Sequence, residues 1–445
     1  MFYLDVPNKQ YLLHKHESRF ENTLGNNNHY IRFISDRFTE ILISEPDELL
    51  QILKAFYDKI RKDLAENSLF SLLPNKTLNI NNVVKNKGNI VQVEFSFDWP
   101  QPFINFRNEY FKPLKKNQRE IAWEAFNNIQ EELLSVLPEG LNWPKNKDAL
   151  AESKKETRFH AFFKYDKLKI SSIKFGGNFN AELTDCFDKC VQVFDYGDFS
   201  AKNTTKSAKW DGYSLCKKVA PRICPYCNRN FTPVVVMGGE DSARPELDHF
   251  LPKSLFPMFS VSFHNLIPSC HCCNHSKGNY NVVQANTRGE LSYKLLHPYL
   301  RADDQTRKRL FSASLPTYDI EHLFSYDHQS NLKIIALPAQ NTKASNSLNC
   351  FRLASMTDNN LQGYYQHHDK EILASLDLIH HYPRAALQEI STLLNVKPQA
   401  DDIELRLFKQ RLIDMVIPRD CKNESLGKFK KDSLEVLLRL WIDSV

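Results

Sequence analysis

The chain has 445 residues, enough for two or three compact domains, and its 42% hydrophobic and 12% aromatic content with only 13 glycines excludes a low-complexity or linker-rich polypeptide. Lys and Arg number 58 against 53 Asp and Glu, a formal charge of +5 that excludes a strongly cationic duplex coater and leaves nucleic acid open as a partner. No stretch approaches the roughly 20 apolar residues of a membrane span, and MFYLDVPNKQYLLHKHESR has no basic segment leading into an apolar run, so a soluble, cytoplasmic protein is expected.

The first predicted element follows Pro46 and Asp47, where Leu49, Ile52, Leu53, Phe56, Tyr57 and Ile60 fall on one stripe of a core-facing helix. From Ile90 to Trp99 the residues alternate, with Val91, Val93, Phe95 and Phe97 on one side and Gln92, Glu94 and Ser96 on the other. Behind the Lys87-Gly88 turn signal this reads as a half-buried hairpin strand. Asn117 and Glu120 have capping-box spacing before the helical pattern Trp123, Phe126, Ile129, Leu133, Val136. The polar, lysine-rich stretch from Glu139 to Thr157 is the boundary expected from composition.

Beyond it, His160 to Phe175 could pair as strands. Thr184 to Phe194 is short and amphipathic, with Cys186 and Cys190 on one helical face, where two core cysteines are favoured over a metal role. The pattern predicts mostly helix from Asn286 to Val445, ending with Leu434, Leu437, Leu438 and Trp441 on one stripe.

Six of the 10 cysteines lie between Cys216 and Cys273, which favours metal over a disulfide framework. CPYC sets Cys224 and Cys227 at C-x-x-C spacing, and CHCC sets Cys270 and Cys273 at the same interval about 40 residues further on. Two such turns bring four thiolates around one tetrahedral zinc, a closed site that holds the fold without doing chemistry. Cys272, His271 and His275 crowd the second pair, but the spacing selects Cys270 and Cys273.

Between the pairs lies ELDHFLPKS, followed by HNLIPSCHCCNHSKGN. Asp248-His249, Asn265-Leu266-Ile267 and Cys270 through Lys277 together resemble the HNH nucleases of the ββα-metal fold, over about 60 residues from Pro221 to Tyr280. The resemblance implies His249 as general base, near pH 7 largely neutral and able to take a proton from water. It implies Asp248 and Asn274 as ligands of a catalytic Mg²⁺ or Mn²⁺, which hard oxygens suit. Asn265 would tie the loop to the histidine strand.

Lys277, read as opening a helix, and Lys253 are candidates for binding phosphate. The alternative for Asn274 is a helix N-cap, with His275 as substitute ligand. His264 reads as a loop or core histidine, and Glu246 shares a strand face with Asp248 as a rim residue or a further member of the site. Lys202, Lys206, Lys209, Lys217, Lys218, Arg222 and Arg229 form a basic run beside the first pair, either a solvated face or a phosphate-binding one.

The layout of CPYC, LDHFLP, LLHPYLR and GKFKKD is most similar to the PtuB-like HNH nucleases of Septu-type anti-phage systems. That resemblance implies a DNA-cutting defence effector working with a partner ATPase. The expected fold is α+β and predominantly helical, with an N-terminal α+β region (1–155), a connector (156–215), a zinc-bound ββα-metal module (216–285) and a C-terminal helical region (286–445). Two alternatives stay open: a zinc-stabilised nucleic-acid- or protein-binding module without catalysis, and an RNA nuclease, for example on tRNA, using the same site.

Overall fold

Helices and small antiparallel sheets make up the computed structural model, which describes residues 3–66, 79–97, 101–111, 119–135, 168–171, 177–201, 210–286, 290–300, 311–314, 333–336 and 424–442, with isolated positions between 343 and 417. Helix α1 (Lys9–Glu17) buries Leu12 and His16, one turn apart. Helix α2 (His29–Ser35) is capped by Asn28, whose side chain accepts from the amides of Tyr30 and Ile31. After α3 (Phe38–Ile43), Pro46 opens α4 (Pro46–Glu66) and Asp47 and Glu48 fill its first turn, where the helix dipole favours negative charge. The stripe predicted for this helix, from Leu49 to Ile60, is buried.

Strands β1 (Asn79–Asn86) and β2 (Asn89–Phe97) form a hairpin whose turn residues, Lys87 and Gly88, both have positive φ. The alternation is broken by one residue. Val84 faces Gln92 and Lys85 faces Ile90, so Val91 is an extra, bulged residue; it is exposed while Ile90 is buried, against the predicted pattern. Val93 and Phe95 are buried as expected.

Helices α5 (Gln101–Phe106) and α6 (Arg119–Ser135) follow; Asn117, the predicted cap, lies outside the described residues, as does the boundary stretch from Glu139 to Thr157. Within the predicted strand region His160 to Phe175, β3 (Leu168–Ser171) is described and pairs with β2. Helix α7 (Gly177–Val193) is longer than predicted and packs on β2 and α2, with Cys186 and Cys190 in the core.

Two short helices, α8 (Tyr196–Ser200) and α9 (Gly212–Val219), capped by Asp195 and Asp211, lead to the cysteine-rich segment. There β4 (Val235–Met237) pairs with β5 (Glu240–Ala243), and β6 (Glu246–His249) pairs with β7 (Leu266–Ser269) ahead of α10 (His271–Lys277). Beyond α10 the described residues include short strands as well as the predicted final helix. Strand β8 (Val283–Ala285) pairs with β9 (Leu291–Tyr293), and β10 (Phe311–Ser314) with β11 (Lys333–Ala336), before the final helix α11 (Gly427–Ile442). Strands of three or four residues are too short for alternation to register in sequence. Among the described residues no helix is long and apolar enough to cross a membrane.

One cluster of buried side chains runs from Leu4 to Leu434, so the N-terminal helices and the cysteine-rich segment share a core. Polar links cross it as well. His264 Nδ1 bonds the Ser44 carbonyl at 2.9 Å, Tyr293 donates to the Pro46 carbonyl at 2.7 Å, and the Leu4 amide donates to the Pro298 carbonyl at 2.8 Å.

The deepest link is His16. Its ring is buried among Phe20, Phe199, Trp210 and Phe263, and burial lowers its pKa to about 4. The folded chain therefore keeps His16 neutral where an unfolded histidine, with a pKa of about 6.5, takes up a proton. Stability from this group is present above about pH 6.5 and is lost as pH falls towards 4. Urea unfolding at pH 7 and pH 5 should show a loss of about 2 kcal/mol attributable to His16. The His16→Gln protein, with no imidazole to titrate there, should show a pH 7-to-5 loss smaller by that amount.

Candidate metal centre and active site

The first C-x-x-C sits on a tight hairpin. Ile223 and Phe231 pair across it, the Asn228 amide donates to the Cys224 carbonyl at 2.8 Å, and Asn228 turns the chain with φ of 51°. The second pair opens α10, with Cys270 as its N-cap residue and Cys273 in its first turn. The sulfur atoms of Cys224, Cys227, Cys270 and Cys273 all lie within 4.8 Å of one another, and all four residues are buried.

A tetrahedral zinc with bonds of about 2.3 Å needs sulfurs roughly 3.8 Å apart. Cys227 and Cys270 stand 4.0 Å apart, so the four thiols fit such an ion. The Cys270 amide and the Asn230 side chain each donate to a sulfur of the cluster, which favours thiolate. Hydrogen bonding from Cys224 pulls Cys270 well below the usual thiol range and Cys227 to about 7, while burial pushes Cys224 up and hydrogen bonding with Cys224 pushes Cys273 up, so the four share their protons unequally. Cys272 is exposed and outside the cluster, as the spacing of the pairs implies.

Strand β6 runs beside this centre and carries alternate side chains to one face. Asp248, 2% exposed, accepts from the Tyr226 hydroxyl on Oδ2 at 2.6 Å and from Lys277 Nζ on Oδ1 at 2.9 Å. Tyr226 lies between Cys224 and Cys227, so the knuckle itself supplies a ligand to the carboxylate. The Lys277 ammonium also donates to the His249 carbonyl at 2.6 Å. Lys277 is thus the last residue of α10, buried and ion-paired, rather than a helix-opening residue facing phosphate. Its place at the C-terminal end of the helix also suits its charge.

Glu246, two residues before Asp248, accepts from Asn274 Nδ2 at 2.7 Å and bonds His271 Nδ1 at 2.8 Å. Asn274 lies inside α10 with Cys270 as the cap, so it is not the N-cap that sequence left open. His275 is exposed and stacks on His271. The structure therefore brings Asp248 to Lys277 and Tyr226, and Asn274 to Glu246.

His249 follows on β6. Its Nε2 lies 2.9 Å from the Ser260 carbonyl, and because a carbonyl only accepts, the neutral ring carries its proton on Nε2 and a lone pair on Nδ1. The residue keeps 8% of its surface exposed, and burial followed by the charges of Lys253 and Lys277 lowers its pKa to about 3. Tyr196 packs edge-on against the ring at 4.3 Å between centroids, and Lys253 Nζ lies 4.4 Å from the Tyr196 ring centroid. Lys253 thus stands one ring away from the histidine.

Asn265 is fully buried. Its Oδ1 accepts from the Leu251 amide at 2.6 Å, its Nδ2 donates to the carbonyls of Leu251 and Phe259, and its own carbonyl accepts from the Phe250 amide. It laces the segment after β6 to the turn before β7. His264 is buried and bonds backbone, the core role read for it. Of the basic run, Lys202, Lys206 and Lys209 lie outside the described residues, Lys217 pairs with Asp241, and Arg222 lies over the Phe231 ring. Tyr226 and His16 carried no sequence signal of a role, since each acts through a contact distant in the chain.

No protein-family model matches the chain, and no solved structure does. The chain is similar to the Septu protein PtuB of Bacillus thuringiensis, 38% identical over 58 residues, 13% of this chain and 20% of that protein. It is also similar to protein ea31 of Escherichia phage lambda, 33% identical over 81 residues, 18% of this chain and 22% of that protein. The matched stretches cover only about a fifth of each curated relative.

Elemental analysis of purified protein should find about one zinc per chain, falling on Cys227→Ser substitution with loss of stability. Lys277→Met leaves a buried carboxylate without its cation and should destabilise the fold by about 3–5 kcal/mol in denaturant titration. Adding Asp248→Asn to that variant should recover part of the loss.

Proposed function

We propose that the protein is an HNH-type, metal-dependent endonuclease that hydrolyses phosphodiester bonds in DNA, acting in anti-phage defence with a partner ATPase. The observation that carries the reading is His249, whose Nε2 is held by the Ser260 carbonyl so that the lone pair is left on Nδ1, next in sequence to Asp248 on a hairpin braced by four cysteines. The local similarity to the Septu protein PtuB supports the defence context.

In this reading Nδ1 of His249 takes a proton from water, and the water oxygen attacks phosphorus as the bond to the leaving 3′ oxygen breaks. Tyr196 walls one side of the ring, and Lys253 reaches a phosphate of the bound strand. Lys277 and Tyr226 hold Asp248 still, and Asn265 fixes the segment on which the histidine is oriented.

The donor set on this face, the carboxylates of Asp248 and Glu246 with the amide oxygen of Asn274, is all hard oxygen and fits Mg²⁺ or Mn²⁺. Each Asp248 oxygen accepts one hydrogen bond and keeps a second lone pair. Asp248 and Asn274 would hold the ion, which when bound supplies positive charge to the phosphate and the departing oxygen.

A second reading, a zinc-stabilised binding module without catalysis, draws on the burial of the Asp248–Lys277 pair, which by itself is also a structural strut. Plasmid DNA and RNA incubated with the protein and its His249→Ala form separate the two. Cleavage that needs Mg²⁺ or Mn²⁺, stops with EDTA and falls by at least about 100-fold in His249→Ala is expected. Equal cleavage by both proteins would remove the base assignment, and cleavage of RNA alone would move the substrate from DNA to RNA. Nucleic-acid binding without cleavage, in the presence of a co-purified ATPase partner, would favour the second reading.

A further inference from the structure

Three successive carbonyls in the turn between β6 and β7 each receive a side chain from a different part of the chain. Asn265 Nδ2 donates to the Phe259 carbonyl at 2.8 Å, His249 Nε2 lies 2.9 Å from that of Ser260, and His16 Nε2 lies 2.6 Å from that of Val261. His16 comes from α1, 245 residues away along the chain. Its ring has no freedom in this contact. Trp210 Nε1 donates to His16 Nδ1 at 3.0 Å, so the neutral ring must carry its proton on Nε2, where the Val261 carbonyl accepts it.

Consecutive peptide planes share an α-carbon, so fixing the Val261 carbonyl constrains the Ser260 carbonyl that faces His249. The Ser260 side chain is pinned as well, its hydroxyl donating to the Phe194 carbonyl at 2.6 Å. Packing around His16 by Phe20, Phe199 and Phe263, with ring centroids 5.4 to 5.5 Å away, makes the anchor rigid.

We propose that His16 is a positioning residue for His249, setting through the Ser260–Val261 backbone the tautomer and direction of the catalytic ring. The role rests on the nuclease reading above. It also gives the N-terminal region a function in the chemistry: α1 carries the outer anchor of the base.

Two readouts on the full chain test this. In histidine-selective ¹⁵N spectra, His249 of the unchanged protein should appear as a single Nε2–H tautomer. His16→Leu should convert it to a mixture of tautomers, and His16→Gln, whose amide keeps one acceptor and one donor, should restore the single form. Trp210→Phe, which removes the donor to Nδ1 and keeps an aromatic ring there, should produce a smaller fraction of the second tautomer and serves if the leucine variant does not fold. In cleavage assays His16→Leu should lower kcat by about 10- to 100-fold with KM unchanged, and His16→Gln should recover most of it.

An unchanged His249 tautomer in folded His16→Leu, or in Trp210→Phe when the leucine variant does not fold, would overturn the proposal whatever the activity. Full kcat in His16→Leu, with His249→Ala inactive, would overturn it as well. Full activity of His249→Ala would instead sink the nuclease reading, leaving the tautomer result to stand on its own.

Discussion

Four sulfur atoms within 4.8 Å of one another are the constraint on which the rest of the site depends. Bare thiols at this spacing crowd one another, and a metal ion turns that crowding into the strongest local bond in the fold. Because the two pairs flank β6 and β7, closing the cluster fixes both ends of the hairpin that carries Asp248 and His249. Tyr226 makes the connection direct. It lies inside the first pair and reaches Asp248, so the geometry of the sulfur cluster is passed to the carboxylate through one hydroxyl.

The opposite end of the site is set by burial. The Asp248–Lys277 pair is almost wholly removed from water, a state in which each charge requires the other. Lys277 also holds the His249 carbonyl, so one ammonium ties together strand, helix and the backbone of the candidate base. Such a pair adds little to stability compared with apolar residues of similar volume, and what it fixes is the register of α10 against β6. The side chains of Glu246 and Asn274 then meet on the same face, nearer to solvent.

Much of the site was legible in the sequence because its parts are local: CPYC, ELDHFLP and CHCCNHSK each place their residues within a few positions of one another. The sulfur cluster follows from spacing alone. What spacing does not reveal is direction. Lys277 looks like a solvated cation beside a helix start, and only the packing of α10 on β6 turns it inward. The bulge at Val91 puts Ile90 in its place on the buried face, and the paired strands β10 and β11 are too short for any period to show. Helix α1 escaped because its sequence, KQYLLHKHE, is polar nearly all round, and the contacts of its buried His16 join residues 194 and 245 positions apart.

Asn228 has a second role at the turn of the first knuckle. Its backbone carbonyl accepts from the Leu426 amide and its side-chain oxygen from the Lys428 amide, both at 2.6 Å, while the Ser425 hydroxyl reaches the Arg229 carbonyl. The knuckle therefore caps the start of α11 across 200 residues of chain. A cap of this kind cannot form on a growing polypeptide until Lys428, 200 residues beyond the knuckle, has been made. The hairpin bearing the candidate base can assemble earlier, but its cysteine turn acquires these partners only once the segment from Ser425 to Lys428 has emerged. Maturation of the centre is thereby tied to the arrival of α11, and a product lacking that helix leaves the knuckle without these bonds.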